Sequence, residues 1–585
     1  MKKIVDLIIE ELTPAFEACG YDRQYIRVTR SNRPDLCEYQ CNGAMAAAKA
    51  YKKKPIEIAG EVAERAKASR MFSEIGAVAP GFINIRLDPA YLSEYVSAVF
   101  ADGKYGLETA GRPETIIVDY GGANVAKPLH VGHLRSAVIG ESMKRIGRYM
   151  GHHVIGDVHL GDWGLQMGLI IEELRDRQPD LPYFDEDFEG EFPSEPPFTI
   201  SELEEIYPAA SEKSKKDEAF RERAQQATLK LQSGYAPFRA VWDHIMSVSL
   251  ADLKKNYANL NVSFDLWKGE SDAQAYIPGL IADLTDKGLA YESEGALVVD
   301  IAKEGDAKEY PPCIVRKSDG AALYATSDLA TLIEREKDFS PDRYIYVVDK
   351  RQELHFIQVF RVAKKAGIVR EETPMAFLGF GTMNSKDGGP FKTRDGGVMR
   401  LETLMQEIVK EVYKKIEEKQ KVPEAERQRT AEIIGLAALK YGDLSNQATK
   451  DYVFDIDRFI SFEGNTGPHI QYTIVRIKSI LDKYGPGAAA GEILPACSGT
   501  EKELQLKICG FSEAVESAFF ETAPHKICQY MAAVADAFND FYQENKILAE
   551  EDKERQAGWI RLITLAKDIL NTCMDLLGMD SPEHM

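Results

Sequence analysis

Apolar residues at Ile4, Leu7, Ile8 and Leu12, with Asp6, Glu10 and Glu11 between them, repeat at helical spacing. They predict an amphipathic helix at the start of the chain. Its interspersed acids separate it from a signal peptide, and no apolar run approaches the length of a membrane span. The run FINIRL at 82–87 is a strand pattern, and 103–112, with its Gly, Lys and Pro, marks a linker. TIIVDY from Thr115 is a short apolar strand that passes through glycines into a long helical pattern reaching Met150. Strand, tight loop and helix in that order open a doubly wound nucleotide fold. Further strand patterns lie at 153–158, 296–300, 313–316, 344–348 and 375–380, with helical stretches such as 353–366 between them. That alternation predicts a parallel sheet with helices on both faces.

The alternation breaks between about 178 and 261. Residues 180–197 are rich in Pro, Phe and acids, and 201–249 are helical and highly charged. This segment is expected to be an insertion. From Leu401 to the end the pattern is almost all helical, with loops around 485–491 and 496–500. Three regions follow. An N-terminal α+β domain spans 1–112. A Rossmann-like doubly wound α/β domain spans 113–400 and carries the insertion. An all-α helical bundle region spans 401–585, mainly one domain from about 431. The 585 residues accommodate this at roughly 100–200 residues per domain.

The net charge of −21 argues against a bulk coating of nucleic acid, which needs clustered Lys and Arg, but leaves room for a local basic groove. Eight cysteines are scattered with no C-x-x-C pair, so a zinc site has little support and no metal site is expected. Irregular cysteines in a large chain indicate a reduced, cytoplasmic protein with no membrane partner.

The chemistry concentrates in His130-Val131-Gly132-His133, at the start of the first long helix after the TIIVDY strand. A helix N-terminus offers free N–H groups and a positive dipole end to phosphates. Gly132 lets a nucleotide lie against bare backbone, and both imidazoles can donate to phosphate oxygens as charge develops. With 10 His and 44 Gly in the chain, about 0.013 such matches are expected by chance. The plain structural alternative is a pair of helix-capping histidines.

H-x-G-H after the first strand resembles the ATP motif of class I aminoacyl-tRNA synthetases. The run from Asp119 to Ser136, DYGGANVAKPLHVGHLRS, is similar to the extended motif of the arginyl-tRNA synthetase family, as is GDVHLGDWGLQ at 156–166. Tyr324-Ala-Thr-Ser-Asp328, Gln352-Glu-Leu-His355, Phe391-Lys392-Thr393-Arg394 and SFEGNTGPHIQ at 461–471 match further family segments. Departures stand at Gly121 and Gly122, where many relatives carry serines, and at Asp119, where many carry Glu. His469 replaces an aromatic residue, and His584 an Arg.

The resemblance implies an enzyme that activates L-arginine with ATP and Mg²⁺ and transfers it to the 3′ end of tRNA(Arg). It assigns ATP binding and catalysis to Lys127, His130, His133 and Lys392, with Gly132 at the nucleotide. Lys127 would supply phosphate charge that the altered lysine loop around Lys392 lacks. A guanidinium needs carboxylates placed for bidentate pairing, and Asp119 and Asp328 are the candidates, with Tyr324 over its face. By family match Asn124, His130 and Gln352 hold the α-amino and carboxylate end. Asp119 as a helix cap, and Tyr324 with Asp328 as a surface i, i+4 pair, stand as alternatives. The C-terminal helices would hold the anticodon arm through Tyr472, Arg476 and Lys478, and residues 1–110 the tRNA elbow; Tyr472 as a core aromatic is the alternative. The acidic surface and the resemblance point to a monomer.

Overall fold

The structure, a computed structural model, describes all residues except 319, 387, 390–398 and 487–490. The N-terminal block is an α+β unit. Strands β1 (Val28–Arg30), β2 (Tyr39–Cys41), β3 (Phe72–Val78) and β4 (Phe82–Leu87) form an antiparallel sheet in the order β1-β2-β4-β3. In β4 the alternation is strict: Ile83, Ile85 and Leu87 are buried. They face a core shared with Ile8 and Leu12 of the helix Ile4–Ala18 and with Ile58 and Val62 of the helix Pro55–Ala66.

The catalytic sheet is parallel, in the order β11-β10-β5-β6, where β5 is Thr115–Asp119, β6 His153–Asp157, β10 Arg343–Asp349 and β11 Met375–Phe380. Ile116, Ile117 and Val118 are all buried, as a central strand covered on both faces requires. The chain leaves the sheet in opposite directions after β5 and β10, which lie side by side. Their carboxyl ends therefore open a crevice at the point where the winding reverses.

Two of the expected parallel strands lie elsewhere. β8 (Ala296–Val299) and β9 (Cys313–Arg316) pair antiparallel with each other, and β8 pairs antiparallel with β7 (Ala290–Ser293), in a separate three-stranded sheet. The reason is local. Glu294 and Gly295, at φ +52° and +81°, close a two-residue hairpin between β7 and β8. A parallel partner would need a long crossover.

The insertion folds as three helices, Ile200–Lys216, Glu218–Gln232 and Ala236–Asn259, against the helix Leu165–Arg177. Asp217 caps the second by accepting from the Phe220 N–H at 3.0 Å. Helices dominate from Leu401 onward. A short parallel pair, β12 (Met383–Asn384) with β13 (Tyr452–Val453), joins this region to the catalytic domain. Buried Arg135 fastens the same junction: it donates to Asp443 at 3.1 Å and to the carbonyls of Gly381 and Lys450 at 2.8 and 2.9 Å. Among the described residues no helix is long and apolar enough to cross a membrane.

Candidate active site

The floor of the crevice is the turn after β5. Gly121 sits at φ +92°, where glycine is favoured, and a Cβ there would lie 2.9 Å from the Phe264 ring, so the turn fits glycine without displacing a neighbour. Its N–H donates to Ser136 Oγ at 2.9 Å. The chain then returns to His130, the N-cap of the helix Val131–Tyr149. His130 Nδ1 accepts the Gly132 N–H at 3.0 Å, and His133 Nδ1 accepts the His130 N–H at 3.1 Å. The rings lie 4.0 Å apart. Each neutral ring whose Nδ1 accepts carries its hydrogen on Nε2, so both histidines keep one N–H donor. Burial holds them neutral. It lowers His133 to about 3, with His130 and Lys127 adding to the effect, and it lowers His130, with Lys127 again contributing. Capping uses Nδ1 of each ring and leaves Nε2 to carry the hydrogen, so capping does not consume the donor.

Lys127 lies beside these histidines, its Nζ 4.5 Å from the ring centre of Tyr207. Asn124 pairs with Gly161 across an isolated bridge, and a Cβ on Gly161 would come within 2.1 Å of Asn124 Oδ1. The glycine in GDVHLGDWGLQ is thus the room that Asn124 occupies. Lys392 and the rest of Phe391–Arg394 lie outside the described residues. Beyond them, the Val131 N–H donates to the Met399 carbonyl at 3.1 Å and the Leu401 N–H to the Leu129 carbonyl at 2.9 Å, anchoring that segment to the HVGH turn.

Across the crevice, Tyr324 and Asp328 occupy the first turns of the helix Tyr324–Phe339. Tyr324 is 74% exposed, and Asp328 Oδ2 lies 2.5 Å from His355 Nε2. Gln352, three residues before His355, is exposed at the start of the helix Glu353–Lys365. Asp119 is placed differently from expectation. Its carboxylate is buried and accepts from Arg335 Nη2 at 2.5 Å, while the same nitrogen donates to Asp157 at 2.6 Å. The guanidinium that Asp119 holds belongs to the chain.

A second carboxylate lies near Asp328. Glu270 follows Gly269, where a Cβ would lie 2.7 Å from the Asp162 carboxylate, and its N–H donates to the Leu160 carbonyl at 3.1 Å. Burial, with Asp162 and Asp328 nearby and His159 opposing, pushes Glu270 up to about 7. Partial desolvation, and then the charges of Glu270 and Tyr207, raise the Tyr324 hydroxyl. Glu270 carries no sequence motif. The trace of it is a Gly-Glu step between β6 and the next helices, legible only once the fold sets it beside Asp328.

The family model described as "tRNA synthetases class I (R), catalytic domain" matches residues 95–456. Models of the "Arginyl tRNA synthetase N terminal domain" and the "DALR anticodon binding domain" match 2–87 and 470–585. The chain belongs to the arginyl-tRNA synthetase family. The "Arginine--tRNA ligase" of Agathobacter rectalis is 59% identical over 100% of both chains. That of Alkaliphilus oremlandii is 56% identical over 99% of this chain and 100% of the relative. The crystal structure of the arginyl-tRNA synthetase from Plasmodium falciparum superposes with a TM-score of 0.82 at 25% identity, covering 100% of this chain and 99% of that one. The Thermus thermophilus arginyl-tRNA synthetase shares the fold, with a TM-score of 0.78 at 23% identity over 100% of both chains.

The region matched by the anticodon-binding model contributes most of the lining of a groove. It is a cavity of about 880 Å³, lined by Tyr472, Arg476, Tyr542, Lys421, Lys483 and Lys546 among others. Arg476 Cζ lies 4.8 Å from the Tyr472 ring centre and 5.4 Å from that of Tyr542, and Arg476 donates to Asn539 Oδ1 at 2.5 Å. Tyr472 is half-buried, not core. Lys478 stays out of the groove: its ammonium donates to the Pro582 carbonyl at 3.1 Å and to Glu583 at 2.8 Å. The periodicity that put Tyr472 and Arg476 on one helical face could not reveal the C-terminal tail that takes Lys478.

Proposed function

We propose that this chain performs the family's aminoacylation reaction with a division of labour set by the crevice. The arginine carboxylate attacks the α-phosphate of Mg-ATP, pyrophosphate leaves, and the terminal ribose hydroxyl of tRNA(Arg) then displaces AMP from the arginyl-adenylate. The observation that carries the reading is the histidine pair at a helix N-terminus, each Nδ1 occupied by a backbone N–H so that Nε2 carries the hydrogen. His130 and His133 donate through Nε2 to phosphate oxygens, and these preorganised bonds strengthen as charge builds in the transition state. Lys127 adds a fixed positive charge, and Lys392 supports it by family match. Gly132 leaves room for the nucleotide. Among the described residues no group of three His, Cys, Asp or Glu side chains could hold a metal ion. Mg²⁺ would enter as part of its ATP complex, held mainly by phosphates and water.

For the amino acid, Asp328 and Glu270 receive the guanidinium, and Tyr324 covers its plane. Asn124, His130 and Gln352 take the α-amino and carboxylate end, while Asp119 acts one layer below, through Arg335. The anticodon loop of tRNA(Arg) stacks in the groove of Tyr472 and Tyr542, with Arg476 between the rings and lysines along its rim. A charging assay with purified tRNA(Arg), radiolabelled arginine and ATP tests the whole reading. Arginine should accumulate on the tRNA, and pyrophosphate exchange should depend on tRNA. Exchange that runs at full rate without tRNA, with no charging, would instead mark an enzyme that adenylates a small molecule.

A further inference from the structure

The inserted helices reach the chemistry, and the contact is specific. They hold the turn at the backbone of Ala126 and at the Lys127 side chain. The preceding residue, Ala126, lies in the left-handed region at φ +59°, a conformation a non-glycine residue keeps only when its surroundings enforce it. Its N–H donates to Ser249 Oγ, at 2.9 Å, on the inserted helix Ala236–Asn259. The Lys127 ammonium lies 4.5 Å above the Tyr207 ring, on the inserted helix Ile200–Lys216.

Tyr207 is itself fixed. It is half-buried and packs against two apolar clusters, one containing Leu203 and Ile206 and the other Leu169, Ala210 and Phe220. One turn earlier Glu204 forms an ion pair with Arg400, and the Arg400 backbone bridges to His130. A capping box between Thr199 and Glu202 starts the helix. The same helix thus grips the ATP-binding turn at Lys127 on one side and at Arg400 on the other.

We propose that Tyr207 is a positioning residue for the reaction, presenting its ring face to the Lys127 ammonium and holding that charge where the ATP phosphates dock. A lysine on a flexible four-carbon stem samples many rotamers in water. A ring face attracts the ammonium without a hydrogen bond or a neutralising charge, so Lys127 stays localised and keeps its full charge for phosphate. The function of the inserted region then includes catalysis, whatever it contributes to tRNA.

This inference rests on the assignment of Lys127 to the phosphates, and the experiment separates the two. Pyrophosphate exchange is measured with saturating arginine and tRNA on the full-length enzyme and on Tyr207→Leu, Tyr207→Phe, Lys127→Met and the double variant Lys127→Met/Tyr207→Leu. Tyr207→Leu should lower kcat/KM for ATP about five- to tenfold with the arginine KM unchanged, and Tyr207→Phe should restore it. In the Lys127→Met background Tyr207→Leu should add less than about twofold, because a partner acting only through Lys127 has nothing left to position. Parental rates for Tyr207→Leu, or an equal loss in both backgrounds, overturn the proposal. A Lys127→Met enzyme at the parental rate overturns the phosphate assignment instead. If Tyr207→Leu lowers the melting temperature, pentafluorophenylalanine at position 207 keeps the ring's shape while reversing its charge distribution. Loss of rate there supports the proposal, and a parental rate overturns it.

Discussion

Arg335 places one guanidinium nitrogen between two buried carboxylates, 2.5 Å from Asp119 and 2.6 Å from Asp157, at the carboxyl ends of β5 and β6. Its other nitrogen donates to the Tyr346 hydroxyl on β10 at 3.0 Å. A single side chain therefore ties the ends of β5 and β6 and the middle of β10 to the helix that carries Tyr324 and Asp328. Removing one partner of a buried ion cluster strands the others without solvent or counter-charge, a loss of roughly 3–5 kcal/mol. Arg335→Met should lower unfolding free energy by about that much in denaturant titration. An unchanged midpoint would mean that the two aspartates are neutral or solvated without Arg335.

The two histidines should be separable from stability only in part. His130→Ala removes one donor at the nucleotide and should lower adenylate formation about 10²–10³-fold while the far-ultraviolet spectrum stays native. His133→Ala should cost a similar rate factor and also some stability. The His130 N–H then loses its acceptor, a penalty of roughly 1–3 kcal/mol for a buried amide. Near-parental single-turnover rates in either variant would remove that histidine from the phosphates.

Guanidinium recognition should be dominated by charge. Asp328→Asn should raise the arginine KM far more than the ATP KM, because an amide cannot neutralise a fixed cation. Citrulline, similar in shape but uncharged, should be a poor substrate. Equal arginine KM values for the variant and the parent enzyme would take Asp328 out of the pocket.

Glu270 makes the same pocket sensitive to pH. Burial raises it to about 7, so in the free enzyme the carboxyl is mostly protonated below that value and mostly ionised above it. Only the ionised form pairs with a guanidinium. Arginine affinity should therefore rise between pH 6 and pH 8, by roughly tenfold for one proton released on binding. His159, Asp162 and Asp328 face the same carboxyl and shift the midpoint without changing the sign. Calorimetry in buffers of different ionisation heat counts the released proton. The Glu270→Gln enzyme should bind arginine weakly and release none, and a proton count unchanged by that substitution would place the titration on another group.

In the C-terminal groove, Tyr472→Ala should raise the tRNA KM while leaving kcat for arginine activation and the melting temperature near parental values. The ring is half-exposed and lies against Arg476, and a base stacked on it contributes roughly 1–3 kcal/mol. Lys478→Ala should leave the tRNA KM unchanged, since Lys478 bonds the C-terminal tail. A defect in tRNA binding from Lys478→Ala alone would reverse the two assignments.

The sequence by itself determined what is local. β5 was legible because β-branched Ile116, Ile117 and Val118, followed at once by glycines, favour a short strand buried on both faces. The HVGH turn was legible because capping and phosphate binding demand those residue types at a helix start. Tyr324, Asp328, Gln352 and His355 were legible as segments matching a family, and Tyr472 and Arg476 as neighbours on one helical face. The tertiary structure decided every question that depends on which groups meet across long separations. It brought Arg335 to Asp119, 216 residues apart, an ion pair within the chain that no local pattern signals. It put Glu270 beside Asp328, and it set β8 and β9 in their own antiparallel sheet instead of the parallel one. It also folded the insertion back until Tyr207 lay under Lys127. Periodicity encodes the face a residue presents, not the partner waiting there, because burial and pairing energies depend on distances that only the packed chain fixes.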